Sequence, residues 1–360
     1  MSAEGHDPLP LASHPYRFLG SYRFALALLV LTSHASEFLG PAIAGLSLGN
    51  VGVFLFFMIS GAVICEALDI FYRDSPRRFL INRALKIFPA YWSAVALYYV
   101  LLVTLDAPGV ETALWPILVN FSLLLSYLPA GNNLLIIEIA WAVVVECQFY
   151  LIAAVLYFIA RRTKTPGIVL FAGGVAALGG YLFVHATGGY TRFYGGFRFA
   201  PYFVLGSALY YAFVRHDAKA ALLAVAAAIL ALHSYLIYAL QTPAGGLPLE
   251  ASAYEPSKLL STALFVVGVV VFLWLFPRQF PQSAERFDKR LGDFTYAIYL
   301  IHPLVIVVAL YLGIAALAGG GGAYLFTLFV SFILAVAIAR GVERPVMRLR
   351  NRFRGQRLYD

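Results

Sequence analysis

The chain has 360 residues, of which 61% are hydrophobic and only 12% are charged, and its mean hydropathy is +0.81. Soluble domains carry about 25% charged residues, so this composition excludes a protein whose whole surface faces water. The net charge of +8 does not indicate a nucleic-acid partner, because the sequence contains no soluble domain that could fold around one. The composition instead predicts a membrane protein with the lipid bilayer as its surroundings.

Ten apolar segments follow one another along the chain, and about 20 such residues suffice to cross a bilayer as a helix. We predict transmembrane helices at about 18–39, 50–70, 87–105, 134–160, 167–186, 198–214, 218–239, 258–276, 293–315 and 323–340. A further apolar segment at 114–128 is too short to cross, and it is predicted to be re-entrant or interfacial. The GGGGA run at 319–323 is predicted as a tight outer loop, and 241–258 as the longest outer loop. The expected fold class is an all-α polytopic bundle.

The distribution of positive charge predicts the orientation of this bundle. With the N-terminus in the cytoplasm, every Lys and Arg except Arg192, Arg198 and Lys258 falls on the inner side, as the positive-inside rule requires. An eleventh crossing at 114–128 would invert all later loops and destroy the pattern. We therefore expect a short cytoplasmic tail at 1–16 without a cleavable signal, a transmembrane domain at 17–342, and a basic cytoplasmic tail at 343–360 that lies on anionic head groups.

The first span contains two ionisable residues, Arg23 and His34. Eleven residues correspond to about three helical turns, or roughly 16 Å of rise, so both side chains share one face of the helix. Ionisable groups inside a membrane are costly and usually face a protein interior or a wet cavity. The pair therefore indicates a working cavity, whereas the structural alternative is a hydrogen-bonded histidine and an arginine that extends to the head groups.

The second span contains Ser60 followed by Gly61. Small residues in an apolar helix most often allow two helix backbones to approach closely. The functional alternative is a notch in the helix surface that admits a substrate beside the first span.

A basic stretch precedes the third span and leads into a proline and two aromatic residues. It could be a membrane anchor with an aromatic belt, or a cationic site for a polyanionic ligand that enters from the cytoplasm, since the guanidinium group can donate two hydrogen bonds to a phosphate. The stretch contains Arg77, Arg78, Arg83, Lys86, Pro89, Tyr91 and Trp92.

Two more ionisable residues lie inside later spans, Glu146 in the fourth and His302 in the ninth, just before Pro303. An intramembrane carboxylate is paired with a cation or has a catalytic role, and the histidine is either satisfied within the bundle or part of a site. Cys65 and Cys147 also fall inside spans. They are expected to be buried thiols, and neither a disulfide nor a metal site is indicated.

Taken in order, these segments resemble the integral-membrane acyltransferase 3 family from Tyr16 to about Phe353. The first span has the arginine, ten intervening residues and histidine of that family. The remaining matching motifs are Phe-Phe-x-x-Ser-Gly at Phe56 to Gly61, the basic stretch from Arg83 to Trp92, Trp-x-x-x-x-Glu-x-Gln-Phe-Tyr from Trp141 to Tyr150, Tyr-x-x-Tyr-x-x-His-Pro from Tyr296 to Pro303, and Glu-Arg-Pro at Glu343 to Pro345.

The resemblance implies transfer of an acyl group, often acetyl, from acyl-CoA to a hydroxyl of a carbohydrate, glycolipid or glycoside acceptor at a bacterial inner membrane. No tightly bound cofactor is expected. We assign the general base to His34, because a neutral imidazole can accept a proton near pH 7. A covalent acyl-His34 intermediate is the alternative. Arg23 would bind the donor or stabilise the oxyanion, and Glu146 would orient an imidazole or the acceptor.

The other candidate residues divide into two sets. Donor binding is assigned to Arg77, Arg78, Arg83, Lys86 and Ser60, and the acceptor or cavity wall to Trp141, Tyr150, Arg198 and His302. Two further function classes stay open at this point, a proton-coupled transporter or flippase of a sugar or lipid-linked substrate and a non-catalytic membrane partner. The sequence does not indicate an oligomeric state.

Overall fold

The computed structural model of the protein describes residues 18–72, 75–105, 113–127, 134–187, 195–240, 256–278 and 280–353. These residues form helices and turns, and no strand occurs among them. The predicted N-terminal tail at 1–16 and nearly all of the predicted loop at 241–258 lie outside the described residues.

Ten helices coincide with the ten predicted spans. In chain order they are α1 (Gly20–His34), α2 (Leu48–Glu66), α3 (Pro76–Thr104), α4 (Trp141–Ala160), α5 (Pro166–Thr187), α6 (Ala200–Val214), α7 (Ala218–Leu240), α8 (Pro256–Leu275), α9 (Gln282–Tyr311) and α10 (Ile314–Ile338). In the described chain, eight helical stretches are long and apolar enough to cross a membrane, while α1 and α6 have 15 residues each. The all-α polytopic fold class is confirmed; ten crossings and cytoplasmic termini remain predictions.

The centre of the bundle is the contact between α2 and α6. Both helices are apolar on all sides, and most of their residues are buried. A Cβ atom added at Gly61 would clash with the carbonyl oxygen of Phe203, and one added at Gly206 would clash with that of Met58. Glycine at these positions allows the two backbones to touch, so the packing interpretation of Gly61 is correct.

The N-terminus of α1 is fixed by a carboxylate from α9. The buried side chain of Asp288 accepts hydrogen bonds from the backbone N–H of Gly20 at 2.8 Å and of Ser21 at 2.5 Å. The first N–H groups of a helix have no partner within the helix, so this carboxylate acts as a cap supplied from a distant element. It fixes the position of α1 along its helix axis relative to α9, and therefore also the position of Arg23.

The prediction of an outer loop at 319–323 is wrong. The chain turns at Gly313, where φ is +63°, and α10 already begins at Ile314. It continues through the glycine run with one kink at Gly319, where φ is +69°. Gly320 lies against the carbonyl of Phe38, so this glycine permits close packing of α10, and the run does not form the connection.

The segment at 114–128 contains a nine-residue helix, Leu114–Ser122, and a single 3-10 turn, Leu124–Tyr127. Nine residues rise about 14 Å, less than half of a bilayer core, so the prediction that this segment does not cross is consistent with its length. It is held to α3 by Trp92, whose indole N–H donates to the carbonyl of Phe121 at 2.8 Å.

Part of the predicted C-terminal tail is an ordered helix, α11 (Arg344–Phe353), joined to α10 by a wider turn at Ala339–Glu343. It packs on the first turns of α3. The amide of Asn82 donates to the carbonyl of Arg350, and the guanidinium of Arg350 donates to Oδ1 of Asn82, both at 3.3 Å. The C-terminal segment is therefore attached to the bundle at the end where the basic stretch begins.

Candidate active site

His34 and His302 lie side by side. His34 is the last residue of α1 and is exposed, whereas His302 in α9 is fully buried. Nε2 of His302 lies 3.3 Å from Nδ1 of His34, and the ring centroids are 5.1 Å apart. On the other side, Cε1 of His34 comes near Gly49 at the start of α2. The His34 ring therefore sits between two helices.

The hydrogen bonds of the two rings define their tautomers. Nδ1 of His34 lies 2.8 Å from the carbonyl of Val30, and Nδ1 of His302 lies 3.1 Å from the carbonyl of Ile298. A carbonyl only accepts, so Nδ1 carries the proton in each neutral ring. Nε2 of His302 is then an acceptor for the Nδ1–H of His34. Nε2 of His34 carries a lone pair and has no hydrogen-bond partner among the described residues.

This arrangement gives His34 the properties of a general base. Nε2 of this exposed residue can take a proton, and the resulting positive ring is stabilised through Nδ1–H by Val30 and His302. A third group that orients a catalytic imidazole is the usual pattern in such sites. The sequence assigned this orienting role to Glu146 as one option, but the group in contact with His34 is His302.

Glu146 forms a second centre deeper in the bundle. Its Oε1 accepts hydrogen bonds from the hydroxyl groups of Ser60 and Tyr150, each at 2.7 Å. Tyr299 is close to both centres: it interacts electrostatically with Glu146, and its ring centroid is 6.2 Å from that of His302. Its hydroxyl donates to the carbonyl of Ile139 at 2.7 Å and so joins α9 to the start of α4.

Positive charge gathers next to Glu146. Lys86 lies within electrostatic range of three arginines and of the Glu146 carboxylate. The Arg83 guanidinium also covers two aromatic rings, with Cζ 5.2 Å from the centroid of Phe79 and 5.7 Å from that of Tyr150. We call this group the cationic cluster; its members are Arg23, Arg83, Lys86 and Arg350.

The basic stretch does not act as one unit. Arg77 and Arg78 are exposed on the first turn of α3, whereas Arg83 and Lys86 are partly buried. Only the second pair belongs to the cationic cluster. Because a helix turns by about 100° per residue, four basic residues within ten positions cannot all face one site.

Trp141 and Arg198 lie in an aromatic region at the start of α4. The Trp141 ring centroid is 5.2 Å from that of Phe199 and 6.1 Å from that of Phe57. Arg198 immediately precedes Phe199, at the end of the short helix Gly195–Arg198. A Cβ added at Gly196 would clash with the side chain of Gln148, so this short helix packs directly on α4. Trp141 is 37% exposed and offers an accessible ring face.

Three residues with structural roles at the site were not predicted from the sequence: Asp288, Tyr299 and Arg350. Tyr299 lies within the Tyr-x-x-Tyr-x-x-His-Pro motif, and its position three residues before His302 could have indicated it. The other two act on elements distant in the chain, and no local pattern indicates them.

No group of three or more His, Cys, Asp or Glu residues that could hold a metal lies within the part of the chain that the structure describes.

Comparison with known proteins identifies the family of the chain. The Acyl_transf_3 family, described as an acyltransferase domain, matches residues 17–340. The chain belongs to this family. The matched region includes every predicted site residue from Arg23 to His302 and ends before α11.

One curated relative of this acyltransferase is the exopolysaccharide production protein ExoZ of Rhizobium meliloti (strain 1021). The two sequences are 24% identical over 329 residues, which cover 88% of this chain and 94% of the relative. No solved structure matches the chain. The multi-pass helical bundle and the family together make the protein a membrane acyltransferase.

Proposed function

We propose that the protein transfers an acyl group, acetyl in the simplest case, from acyl-CoA to a hydroxyl group of a carbohydrate or glycoside acceptor. The observation that carries the proposal is the exposed side chain of His34, whose ring is oriented through Nδ1 by Val30 and His302 and whose Nε2 has no hydrogen-bond partner among the described residues. The family supports acyl transfer. The name of the relative from Rhizobium meliloti supports an extracellular polysaccharide or its precursor as the acceptor.

In the proposed reaction, Nε2 of His34 removes the proton from the acceptor hydroxyl. The oxygen attacks the thioester carbonyl and forms a new C–O bond. The C–S bond of the tetrahedral intermediate then breaks, and the His34 imidazolium returns the proton to the departing CoA sulfur. His302 does not touch the substrates in this scheme; it stabilises the charged form of His34 through the Nδ1–H.

The cationic cluster is the proposed site of the CoA phosphates. Arg23 is on the same face of α1 as His34 and about 16 Å from it along the helix axis. The long pantetheine arm of CoA would extend between them, with the phosphates at the cluster and the thioester near His34. Arg77 and Arg78, which are exposed at the start of α3, would attract the anionic donor before it enters. Glu146 would serve as a counter-charge that keeps the cluster assembled.

The aromatic region around Trp141 is the proposed contact for the acceptor. An exposed indole face can cover the apolar face of a sugar ring, while the guanidinium of Arg198 can donate to its hydroxyl groups. Both residues lie near the predicted outer surface, as does His34. We propose the bacterial inner membrane as the location, because it separates a cytoplasmic acyl-CoA from a glycan that is being exported.

The proposal is tested with membranes that contain the protein. They are incubated with [14C]acetyl-CoA and either exopolysaccharide or its lipid-linked repeating unit, and membranes without the protein serve as the control. We expect alkali-labile label on the glycan and one free CoA thiol for each ester formed. Sugar movement across the membrane that does not depend on acyl-CoA, with no label on any glycan, would contradict acyl transfer and favour transport.

A further inference from the structure

The C-terminal helix α11 brings a charged side chain to the donor side of the bundle. Arg350 is partly buried, and two hydrogen bonds of 3.3 Å hold it to Asn82 in the second turn of α3. Asn82 directly precedes Arg83 in the chain. Arg350 is thus attached to the same stretch of α3 that supplies Arg83 and Lys86 to the cationic cluster.

The positive and negative charges around Lys86 do not balance. Arg23, Arg83 and Arg350 all act on Lys86, and the carboxylates that interact with it are Glu146, Glu343 and Asp293. Nε of Arg83 and one carboxylate oxygen of Glu343 are buried without a hydrogen-bond partner among the described residues. Four cations around three carboxylates leave a net positive charge, and bound negative charge would offset the cost of holding these cations together in a partly buried place.

We propose that Arg350 is a phosphate ligand of the donor site, so that α11 forms one wall of the pocket for the phosphates of CoA. This inference rests on the proposed acyl-CoA donor. Arginine suits the role because its planar guanidinium can donate two hydrogen bonds to one phosphate while remaining charged. The family match ends at residue 340, so it does not extend to this wall.

The same helix provides a control residue. Arg348 lies two positions before Arg350 and is exposed, because neighbouring helical positions face different directions. Removing Arg348 changes the net charge by the same amount but leaves the cluster intact. A site for an anionic lipid head group would use the same chemistry, so the experiment must separate lipid phosphate from CoA phosphate.

The test measures equilibrium binding of coenzyme A to the full chain in phosphatidylcholine nanodiscs. Arg350→Gln removes the charge but keeps an N–H₂ donor for Asn82, and it should raise the Kd about tenfold, as expected for loss of a charge-assisted hydrogen bond. Arg350→Lys should recover most of the affinity, and Arg348→Gln should bind as the wild type does. Thermal unfolding of each variant establishes that it is folded.

Two results would overturn the inference. One is a folded Arg350→Gln protein that binds coenzyme A as tightly as the wild type, or that is weakened no more than Arg348→Gln. The other is unchanged coenzyme A affinity together with loss of phosphatidylglycerol from Arg350→Gln in nanodiscs that contain this lipid, which would identify a lipid site. If Arg350→Gln weakened binding but the wild type transferred no acyl group, the Arg350 assignment would stand and the proposed reaction would fail.

Discussion

Nε2 of His302 lies 3.3 Å from Nδ1 of His34, although the two histidines are 268 residues apart in the chain. The contact joins the first helix to the ninth at the point where α1 ends. In the proposed reaction this contact gives the buried His302 a positioning role, which its place before a proline does not indicate.

We expect His302→Ala to lower kcat by about 10- to 100-fold with an unchanged KM for acetyl-CoA. The His34 imidazolium would lose one hydrogen bond to a charged group, which contributes about 1.5–3 kcal/mol, while the cationic cluster would be unaffected. Steady-state kinetics with variable donor concentration measures both constants. His302→Gln should recover part of the rate, since its amide oxygen can accept from Nδ1–H.

A purely structural role for His302 predicts a different outcome. In that case His302→Ala and His302→Gln would lose activity in proportion to the loss of folded protein, and the remaining folded fraction would have the wild-type kcat. Measuring activity per folded molecule separates the two explanations.

Glu146→Gln should destabilise the ligand-free protein by about 3 kcal/mol, because it removes the counter-charge of a buried group of cations. Coenzyme A should restore more stability to this variant than to the wild type, since its phosphates replace the missing charge. Ser60→Ala is the matched comparison: it removes only a neutral donor to Glu146 and should cost about 1 kcal/mol. Thermal unfolding with and without coenzyme A measures both effects, and equal stabilisation of all three proteins would contradict the assignment of Glu146.

Asp288→Ala should destabilise the protein by about 1–2 kcal/mol, because two backbone N–H groups at the start of α1 lose their cap. Activity should fall as well, since α1 carries both Arg23 and His34. Glu37→Ala, which removes an exposed carboxylate just beyond the other end of α1, serves as the control and should have little effect. Chemical unfolding in detergent micelles gives the comparison, and equal stability of the two variants would contradict a capping role.

Gly61→Ala should destabilise the bundle, because its Cβ has no space against the Phe203 carbonyl, and overpacking costs about 1–3 kcal/mol. Gly179→Ala is the matched control in α5, where an added Cβ meets nothing within 4 Å. That change should be neutral or stabilising by up to about 1 kcal/mol, given the higher helix propensity of alanine. The unfolding midpoint of Gly61→Ala should therefore fall while that of Gly179→Ala stays unchanged or rises, and a Gly61→Ala midpoint equal to or above that of Gly179→Ala would contradict tight packing between α2 and α6.

The helices could be predicted from the sequence because each span is encoded locally, by a run of apolar residues of sufficient length. The site could be predicted in part: charged residues inside these runs, such as Arg23, His34 and Glu146, stand out because they are costly there. The partners of those residues could not. The contacts of His302 with His34 and of Arg350 with Asn82 both depend on tertiary packing across 268 residues. The glycine run at 319–323 was misassigned because glycine permits both a turn and a close helix contact.

His34 is the proposed base that activates the acceptor hydroxyl. The most direct measurement is a single-turnover assay of label transfer from [14C]acetyl-CoA to the glycan with His34→Ala and His34→Gln, after coenzyme A binding and folding of each variant have been established. General base catalysis contributes about 10²- to 10⁴-fold, so we expect both variants to bind coenzyme A like the wild type and to transfer label at least about 100-fold more slowly. A folded His34→Ala protein that binds coenzyme A and acylates the glycan at the wild-type rate would contradict the account.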